Sequence, residues 1–111
     1  MYNKKDNLGY REAVPGVWMK TRVYGEKTLL AEFNLKAGYA IPRHAHEHEQ
    51  TGYLVSGAIQ LTIGETTYDV RSGDTWCIPG NVEHNVMITA DSFLIEVFSP
   101  VRKDYLPELK K

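Results

Sequence analysis

The sequence has one cysteine, no long apolar run and no excess of either charge. Cys77 has no second cysteine with which to form an internal disulfide, and its position between Trp76 and Ile78 predicts a buried thiol. No stretch approaches the roughly 20 apolar residues of a membrane span, and the polar start MYNKKDNLGYRE is not typical of a signal peptide. These absences predict a cytoplasmic protein with no membrane partner.

Charge is almost balanced, with 13 Lys plus Arg against 14 Asp plus Glu. Basic residues form no stripe interleaved with aromatics, so nucleic acid is not an expected partner. A chain of 111 residues is long enough to bury one core without disulfides or structural metals. We therefore expect a single domain over residues 1–111.

Helical periodicity is also scarce, and short apolar runs rich in Val, Ile, Thr, Tyr and Phe predict β-strands instead. The predicted strands cover residues 17–24, 28–35, 41–46, 51–55, 58–63, 66–71, 74–78, 84–89 and 93–98. Chain reversals are expected at Gly25-Glu26, Ser56-Gly57, Gly64-Glu65 and Ser72-Gly73. The pattern predicts an all-β sandwich or small barrel, with an N-terminal arm over 1–12 and a tail over 102–111 that could form a short helix.

Three histidines and an amide form a candidate metal site. His44 and His46 are two residues apart, so on a strand they would face the same side, and Gln50 and His84 would approach from neighbouring strands. Imidazole and amide ligands suit one divalent transition metal: zinc, nickel, manganese, iron or copper. The alternative is that His44 and His46 are exposed loop histidines and that Gln50 is an ordinary polar strand residue.

Glu96 is a carboxylate within the apolar strand SFLIEVFSP, on the same predicted face as Leu94 and Phe98. A lone acid in such a strand needs a partner or a function, and burial would raise its pKa toward the range of an acid/base group. The alternative is an ion pair with an arginine at the mouth of a barrel.

The first histidine segment resembles the first motif of the cupin superfamily. That motif contains a glycine, a His-x-His pair, a glutamate and a second glycine. Gly38, His44, His46 and Gly57 match it, and Gln50 occupies the position of the glutamate. Four neutral ligands would leave the full charge of a dication to act on bound oxygen.

A second segment resembles the second cupin motif. Gly73, Pro79 and His84 match it, whereas Asn81 replaces a glycine and Ile88 replaces the final asparagine. Asn tolerates a positive φ better than most residues, so the turn at Asn81 can survive that change. The resemblance covers residues 38–57 and 73–88, and it implies a double-stranded β-helix, a metal inside the barrel and often a homodimer.

A narrower resemblance is to the small single-domain cupins of the KdgF type, carried by HAHEHEQTGYLVSG and the ending EVFSPVRKDYL. This family binds a divalent metal through a His-His-Gln-His site and linearises unsaturated uronate sugars. It uses an acidic residue and a phenylalanine beside the metal, which correspond here to Glu96 and Phe98. The family's acid is aspartate, so the carboxylate of Glu96 is one methylene longer.

These observations predict a metal-dependent enzyme acting on a small sugar acid. Glu96 would relay a proton, Arg102 or Arg43 would neutralise the substrate carboxylate, and Phe98 and Tyr53 would wall the pocket. Two alternatives remain: a metal-dependent dioxygenase, and a non-catalytic cupin that binds or senses a ligand. The shared barrel cannot decide between them.

Overall fold

The computed structural model describes residues 1–106, which form an antiparallel β-structure with one short 3-10 helix. The strands are β1 (Arg11–Val14), β2 (Val17–Tyr24), β3 (Leu29–Leu35), β4 (Ala40–His44), β5 (Glu49–Ile63), β6 (Thr66–Arg71), β7 (Thr75–Ile78) and β8 (His84–Ser99). The 3-10 helix covers Lys103–Tyr105, and the rest of the predicted tail, 107–111, lies outside the described residues. The predicted all-β fold is confirmed. No helix in the described part of the chain is long and apolar enough to cross a membrane.

The two longest strands, β5 and β8, pair with each other and with most of the other strands. The first half of β8 pairs with β4 and its second half with β3, while β5 pairs with β7 near its start and β6 near its end. The strand order β1-β2-β3-β8-β5-β6 thus folds round on itself as a double-stranded β-helix. Alternate side chains point inward, and the largest fully buried ones are Phe98, Met19, Leu29, Leu35, Leu54, Ile59, Ile78 and Val17.

Ser56-Gly57 is a bulge rather than the predicted reversal. β5 continues through this point with shifts in its pairing to β8, and Gly57 has a φ of 103°. A Cβ on Gly57 would lie 2.2 Å from the Ser92 hydroxyl, so only glycine allows the two strands to approach here. The strands predicted over 84–89 and 93–98 are likewise one continuous strand, β8.

β4 ends at His44, so the strand predicted over 41–46 stops two residues early. The chain leaves the sheet after an irregularity between Ile41 and His44, and His46 lies in the following loop. In the N-terminal segment, β1 begins at Arg11, inside the arm predicted over 1–12. The pairing of β1 with β2 is antiparallel and includes a bulge between Glu12 and Val14.

The thiol of Cys77 is exposed, so the prediction of a buried thiol is wrong. β7 is a four-residue strand in which Ile78 faces the core with 1% exposure. Trp76 shares that inward side because side chains alternate along a strand, and Cys77 therefore faces outward.

Candidate metal centre

The barrel contains a cavity of about 420 Å³ whose lining divides into two chemically distinct parts. One part, the apolar wall, comprises Val17, Phe33, Leu35, Ile59, Leu61, Ile78, Val86 and Leu94. The other part, the polar wall, comprises Arg11, His44, Gln50, Trp76, His84, Glu96, Arg102, Asp104 and Tyr105, with Phe98 beside it. A pocket of this volume can hold a small organic molecule.

Three imidazoles meet beside the polar wall. The candidate ligand nitrogens of His44, His46 and His84 all lie within 4.8 Å of one another. His44 and His84 are paired residues on β4 and β8, and His46 joins them from the loop after β4. The sequence prediction that distant segments bring these three histidines together agrees with this geometry.

Hydrogen bonds fix the orientation of each ring. The Nδ1 atoms of His44, His46 and His84 lie 2.7, 3.0 and 2.9 Å from backbone carbonyl oxygens two residues away in the chain. A carbonyl can only accept, so each Nδ1 carries the proton and each Nε2 keeps a lone pair. Rings held in this way are the usual arrangement of histidines that bind metals.

Three buried atoms in this region have no hydrogen-bond partner within residues 1–106: Nε2 of His46, Nε2 of His84 and Oε1 of Gln50. Buried polar atoms are normally satisfied, so the unmatched set needs a physical reason. All three are electron-pair donors suited to a divalent transition metal, and the donor set therefore fits the metal that the fold implies. Nδ1 of His48 is also buried and unpartnered, but the ring lies outside the three-histidine cluster.

The turn before β8 holds His46 in place. The backbone N–H of Asn81 donates to the His46 carbonyl at 2.7 Å, and a Cβ on Gly80 would lie 2.4 Å from the carbonyl oxygen of Glu47. Asn81 has a φ of 66°, as predicted for its place in the turn. The close backbone contact explains how His46 reaches the other imidazoles although it lies outside a strand.

Burial keeps two of the imidazoles neutral. It lowers the pKa of His46 to about 4, assisted by the positive charge of Arg102 and by the neighbouring His84 and His44. Burial also lowers the pKa of His84. Neutral imidazole is the form that binds a metal, so the protein favours the binding form before any ion arrives.

Glu96 is 9% exposed and accepts two hydrogen bonds on the same oxygen, Oε2. Gln50 Nε2 donates at 2.5 Å and Trp76 Nε1 donates at 3.0 Å. The bond from Gln50 fixes which end of its amide faces the carboxylate, and leaves Oε1 as the atom without a partner. The candidate ligand and the candidate acid/base group are thus directly connected.

Trp76 reaches Glu96 across a glycine. Gly52 on β5 is the paired residue of Trp76 on β7 and of Glu96 on β8, so the three residues form one row. A Cβ at Gly52 would lie 2.2 Å from the indole. The missing side chain therefore makes room for the ring to lie over the middle strand and donate to the carboxylate.

Burial raises the pKa of Glu96 to about 7. The hydrogen bonds from Trp76 and Gln50 and the positive charge of Arg102 act in the opposite direction and limit the rise. A carboxyl group with a pKa near neutrality can take up and release a proton readily. The inward orientation predicted for Glu96, with Leu94 and Phe98, agrees with the burial of all three.

The aromatic part of the site joins β8 to the C-terminal segment. The Phe98 ring lies edge-on to His46, with centroids 6.1 Å apart, and to Tyr105 at 5.3 Å. The guanidinium of Arg102 lies 4.1 Å from the Tyr105 ring centroid and 5.3 Å from that of Phe98. Phe98 and Arg102 are therefore beside the cavity, as expected.

Arg43 and Tyr53 are not among the residues that line the cavity, in contrast to their predicted roles in substrate binding. Arg43 is exposed and bonds Glu83 at 3.0 Å and the carbonyl of Gly64 at 2.9 Å. Tyr53 is 43% exposed on β5, one residue out of phase with the inward-facing Gly52. The alternation of side chains along β5 places Tyr53 on the outer face.

Arg11 and Tyr105 were not predicted as site residues, yet both line the cavity. Arg11 lies in the segment expected to be a loose arm, and its position depends on the pairing of β1 with β2. Tyr105 lies in the 3-10 helix, where burial raises the pKa of its phenol to about 12. The sequence offers no local signal that brings either residue to the barrel.

Comparison with known proteins agrees with this architecture. Residues 31–98, more than half of the chain, match the cupin domain family. This chain belongs to the cupin family. The match begins within β3, ends near the end of β8, and includes all four candidate metal ligands, His44, His46, Gln50 and His84.

Two relatives of this cupin share the KdgF name. The pectin degradation protein KdgF of Dickeya dadantii is 25% identical over 103 residues, covering 91% of this chain and 94% of that protein. The solved structure of KdgF from Halomonas sp. is 26% identical, covers 96% of this chain and 100% of its own, and superposes with a TM-score of 0.89. An RmlC-like cupin from Shewanella frigidimarina, 23% identical over 87% of each chain with a TM-score of 0.83, shares the fold.

Proposed function

We propose that this cupin is a metal-dependent enzyme of pectin breakdown that opens the ring of an unsaturated uronate. The observation that carries the proposal is the buried carboxylate of Glu96, bonded to Gln50 next to a cluster of three histidines. The similarity of the whole chain to the two KdgF proteins supports the same substrate class. The prediction of a homodimer stays a prediction.

His44, His46, Gln50 and His84 would hold the metal, through three imidazole nitrogens and the amide Oε1. A bound divalent metal supplies Lewis acidity toward a hydroxyl or carbonyl oxygen of the substrate. Because all four donors are neutral, they do not offset the positive charge of the ion. The metal's identity does not follow from this donor set, because availability and geometry decide among zinc, nickel, manganese, iron and copper.

Glu96 would move the proton. Its carboxylate removes the proton of the anomeric hydroxyl, the bond from the anomeric carbon to the ring oxygen breaks, and an aldehyde and an enolate result. The protonated Glu96 then returns the proton to the former alkene carbon, which gives the linear keto acid. No atom is gained or lost. A pKa of about 7 suits a group that acts as base and then as acid.

The remaining cavity residues would bind and enclose the sugar. Phe98 is 1% exposed and excludes water next to His46. Two arginines, Arg11 and Arg102, stand against one aspartate, Asp104, in the polar wall, and this charge balance favours an acidic substrate. Arg43 and Tyr53, which do not line the cavity, have no part in this proposal.

A turnover assay with 4,5-unsaturated galacturonate tests the proposal. Metal-loaded protein should remove the ultraviolet absorbance of the conjugated double bond faster than the spontaneous rate. Glu96→Gln and His46→Ala should each slow turnover by about 100-fold or more, since acid/base groups contribute about 10²–10⁴-fold. Glu49→Gln, which changes an exposed carboxylate on the same strand as Gln50, should keep the wild-type rate. A wild-type rate equal to background would refute the proposal for this substrate.

A metal-dependent dioxygenase is the second candidate, and the observation that favours it is the apolar wall of the cavity. The same four residues would then hold iron or manganese, which would supply the redox chemistry that cleavage of an aromatic ring requires. This function requires oxygen consumption that depends on the aromatic substrate. The buried Glu96 and the positively charged Arg102 have no evident use in it, so the sugar-acid proposal ranks first.

A further inference from the structure

Two arginines share the polar wall of the cavity, and they differ in what they bind. Arg11 is the first residue of β1, and Arg102 precedes the 3-10 helix. Both guanidinium groups lie against the ring of Tyr105, with Arg11 at 5.6 Å and Arg102 at 4.1 Å from its centroid.

Arg102 already has a carboxylate partner. Its Nε donates to Oδ1 of Asp104 at 3.1 Å and its Nη2 donates to Oδ2 at 2.9 Å. This is the two-pronged arrangement in which a guanidinium binds a carboxylate most strongly. A substrate carboxylate would have to displace Asp104 to bind Arg102 in the same way.

Arg11 has no such partner among residues 1–106, where no carboxylate lies within 4.0 Å of its guanidinium nitrogens. Its polar contact is one long hydrogen bond of 3.4 Å to the backbone carbonyl of Asp104. Arg11 is half-buried and lines the cavity. Its donors are therefore available to an anion that enters there.

The backbone of Arg11 is held on both sides. It pairs with Met19 in the sheet, and the preceding Tyr10 donates its hydroxyl to Glu32 at 2.5 Å. Further up the chain, Asp6 pairs with the nearly buried Lys20 at 2.5 Å. The strand and arm thus fix the backbone from which the Arg11 side chain reaches the cavity, so this segment need not be ordered when an anion binds.

We propose that Arg11 binds the carboxylate of the substrate and determines the preference of this cupin for a sugar acid over a neutral sugar. The inference rests on the proposed function for the identity of the substrate. Arg102 stays paired with Asp104 and supports the wall. The planar fork of a guanidinium matches the two oxygens of a carboxylate, so the contact discriminates against uncharged analogues.

Kinetics with a matched pair of substrates test the role of Arg11. For 4,5-unsaturated galacturonate, Arg11→Gln should raise KM by about 10- to 100-fold and change kcat by less than about threefold, because a charge-assisted hydrogen bond is lost. KM for the neutral methyl ester should not change. Arg11→Lys should give an intermediate KM, and Arg71→Gln, on the exposed face of β6, should match wild type. A wild-type KM for the acid in Arg11→Gln, or equal losses for acid and ester, would overturn the inference.

Calorimetry separates failure of this inference from failure of the proposed function. Galacturonate and galactose are titrated into metal-loaded wild type and Arg11→Gln, whose circular dichroism and metal affinity are first matched. If wild type binds galacturonate without turnover of the unsaturated sugar, the proposed function fails. If Arg11→Gln then binds galacturonate more weakly than wild type but binds galactose equally well, the role of Arg11 is supported. Equal binding by the two proteins, or no binding by wild type, would contradict it.

Discussion

The apolar and polar walls of the same cavity differ in how completely their atoms are satisfied. Side chains such as Leu35 and Ile59 are at most 2% exposed and pack in the core. In and beside the polar wall, His46, Gln50 and His84 carry buried atoms with no hydrogen-bond partner among residues 1–106. Packing gives the apolar wall its stability, whereas the polar wall retains unsatisfied atoms that only a ligand can match. Stability and function therefore depend on different residues in the lining of one cavity.

Truncating the apolar wall should give the largest loss of stability. Leu35→Ala removes a side chain that is 1% exposed, and it should lower the free energy of unfolding by about 2–5 kcal/mol. Metal affinity should stay within about threefold of wild type, because the polar wall is unchanged. Urea unfolding of metal-free protein and calorimetry of the folded variant measure the two quantities. A variant that loses metal binding and stability together would contradict the division between the walls.

Wild type should lose stability as pH rises because Glu96 ionises, and Glu96→Gln should lack that loss. The folded pKa of Glu96, about 7, lies above its ordinary value of 4.5, so the fold favours the protonated carboxyl. Its contribution to stability is present below pH 4.5 and is lost as pH rises to about 7. Over that range, the free energy of unfolding of wild type should fall by about 3 kcal/mol relative to Glu96→Gln.

Urea titrations of both proteins with a chelator present, at intervals from pH 4.5 to 8, measure this difference. Groups common to both chains cancel in the comparison. A difference that is independent of pH would mean that Glu96 titrates in the folded protein as it does in the unfolded chain.

Removing one candidate ligand should weaken metal binding far more than removing His48, the histidine outside the cluster. His84→Ala should lower the affinity for Zn²⁺ or Ni²⁺ by at least about 100-fold, the upper end of what the loss of an outer hydrogen-bonding partner costs. His48→Ala should change it by less than about threefold, because the His48 ring lies outside the cluster. Competition with a chromophoric chelator measures both, and equal losses would require a different ligand set.

The smallest expected effect comes from the indole that donates to Glu96. Trp76→Phe keeps the ring but removes the donor, and it should cost about 1–2 kcal/mol above pH 7, where the carboxylate is charged. At pH 5, where the group is protonated, the cost should be smaller. Trp18→Phe, at a tryptophan that is 41% exposed, is the matched control and should stay within about 0.5 kcal/mol. Identical pH dependence in the two variants would contradict the role of the hydrogen bond.

Motif spacing predicted the four candidate ligands, because two short segments contain all of them. Glu96 was also predictable, since a single acid in an apolar strand must be stabilised by a partner or retained for a function. The outward position of Tyr53 could have been read from the sequence as well: it is three residues from Gln50, and an odd separation on a strand changes the face.

Contacts that depend on the pairing of distant strands could not be predicted from the sequence. The bond from Trp76 to Glu96 needs the register of three strands and the empty position at Gly52. Arg11 reaches the cavity because β1 pairs with β2, and nothing in the arm itself indicates that pairing. The continuity of β5 depends on Gly57 and its close approach to Ser92 on β8. Without knowledge of that contact, the Ser56-Gly57 pair predicts a reversal of the chain.

A single strand, β8, carries His84 at its start and Glu96 and Phe98 near its end. Point substitutions can therefore exchange the acid or the aromatic residue in one lineage while the metal-binding end is inherited unchanged. A deletion of one residue between the two ends would turn the inward side chains of one half outward relative to the other. New chemistry in this barrel can thus arise through changes of residue type, whereas a one-residue change in the length of β8 would separate the acid and the aromatic residue from the metal-binding end.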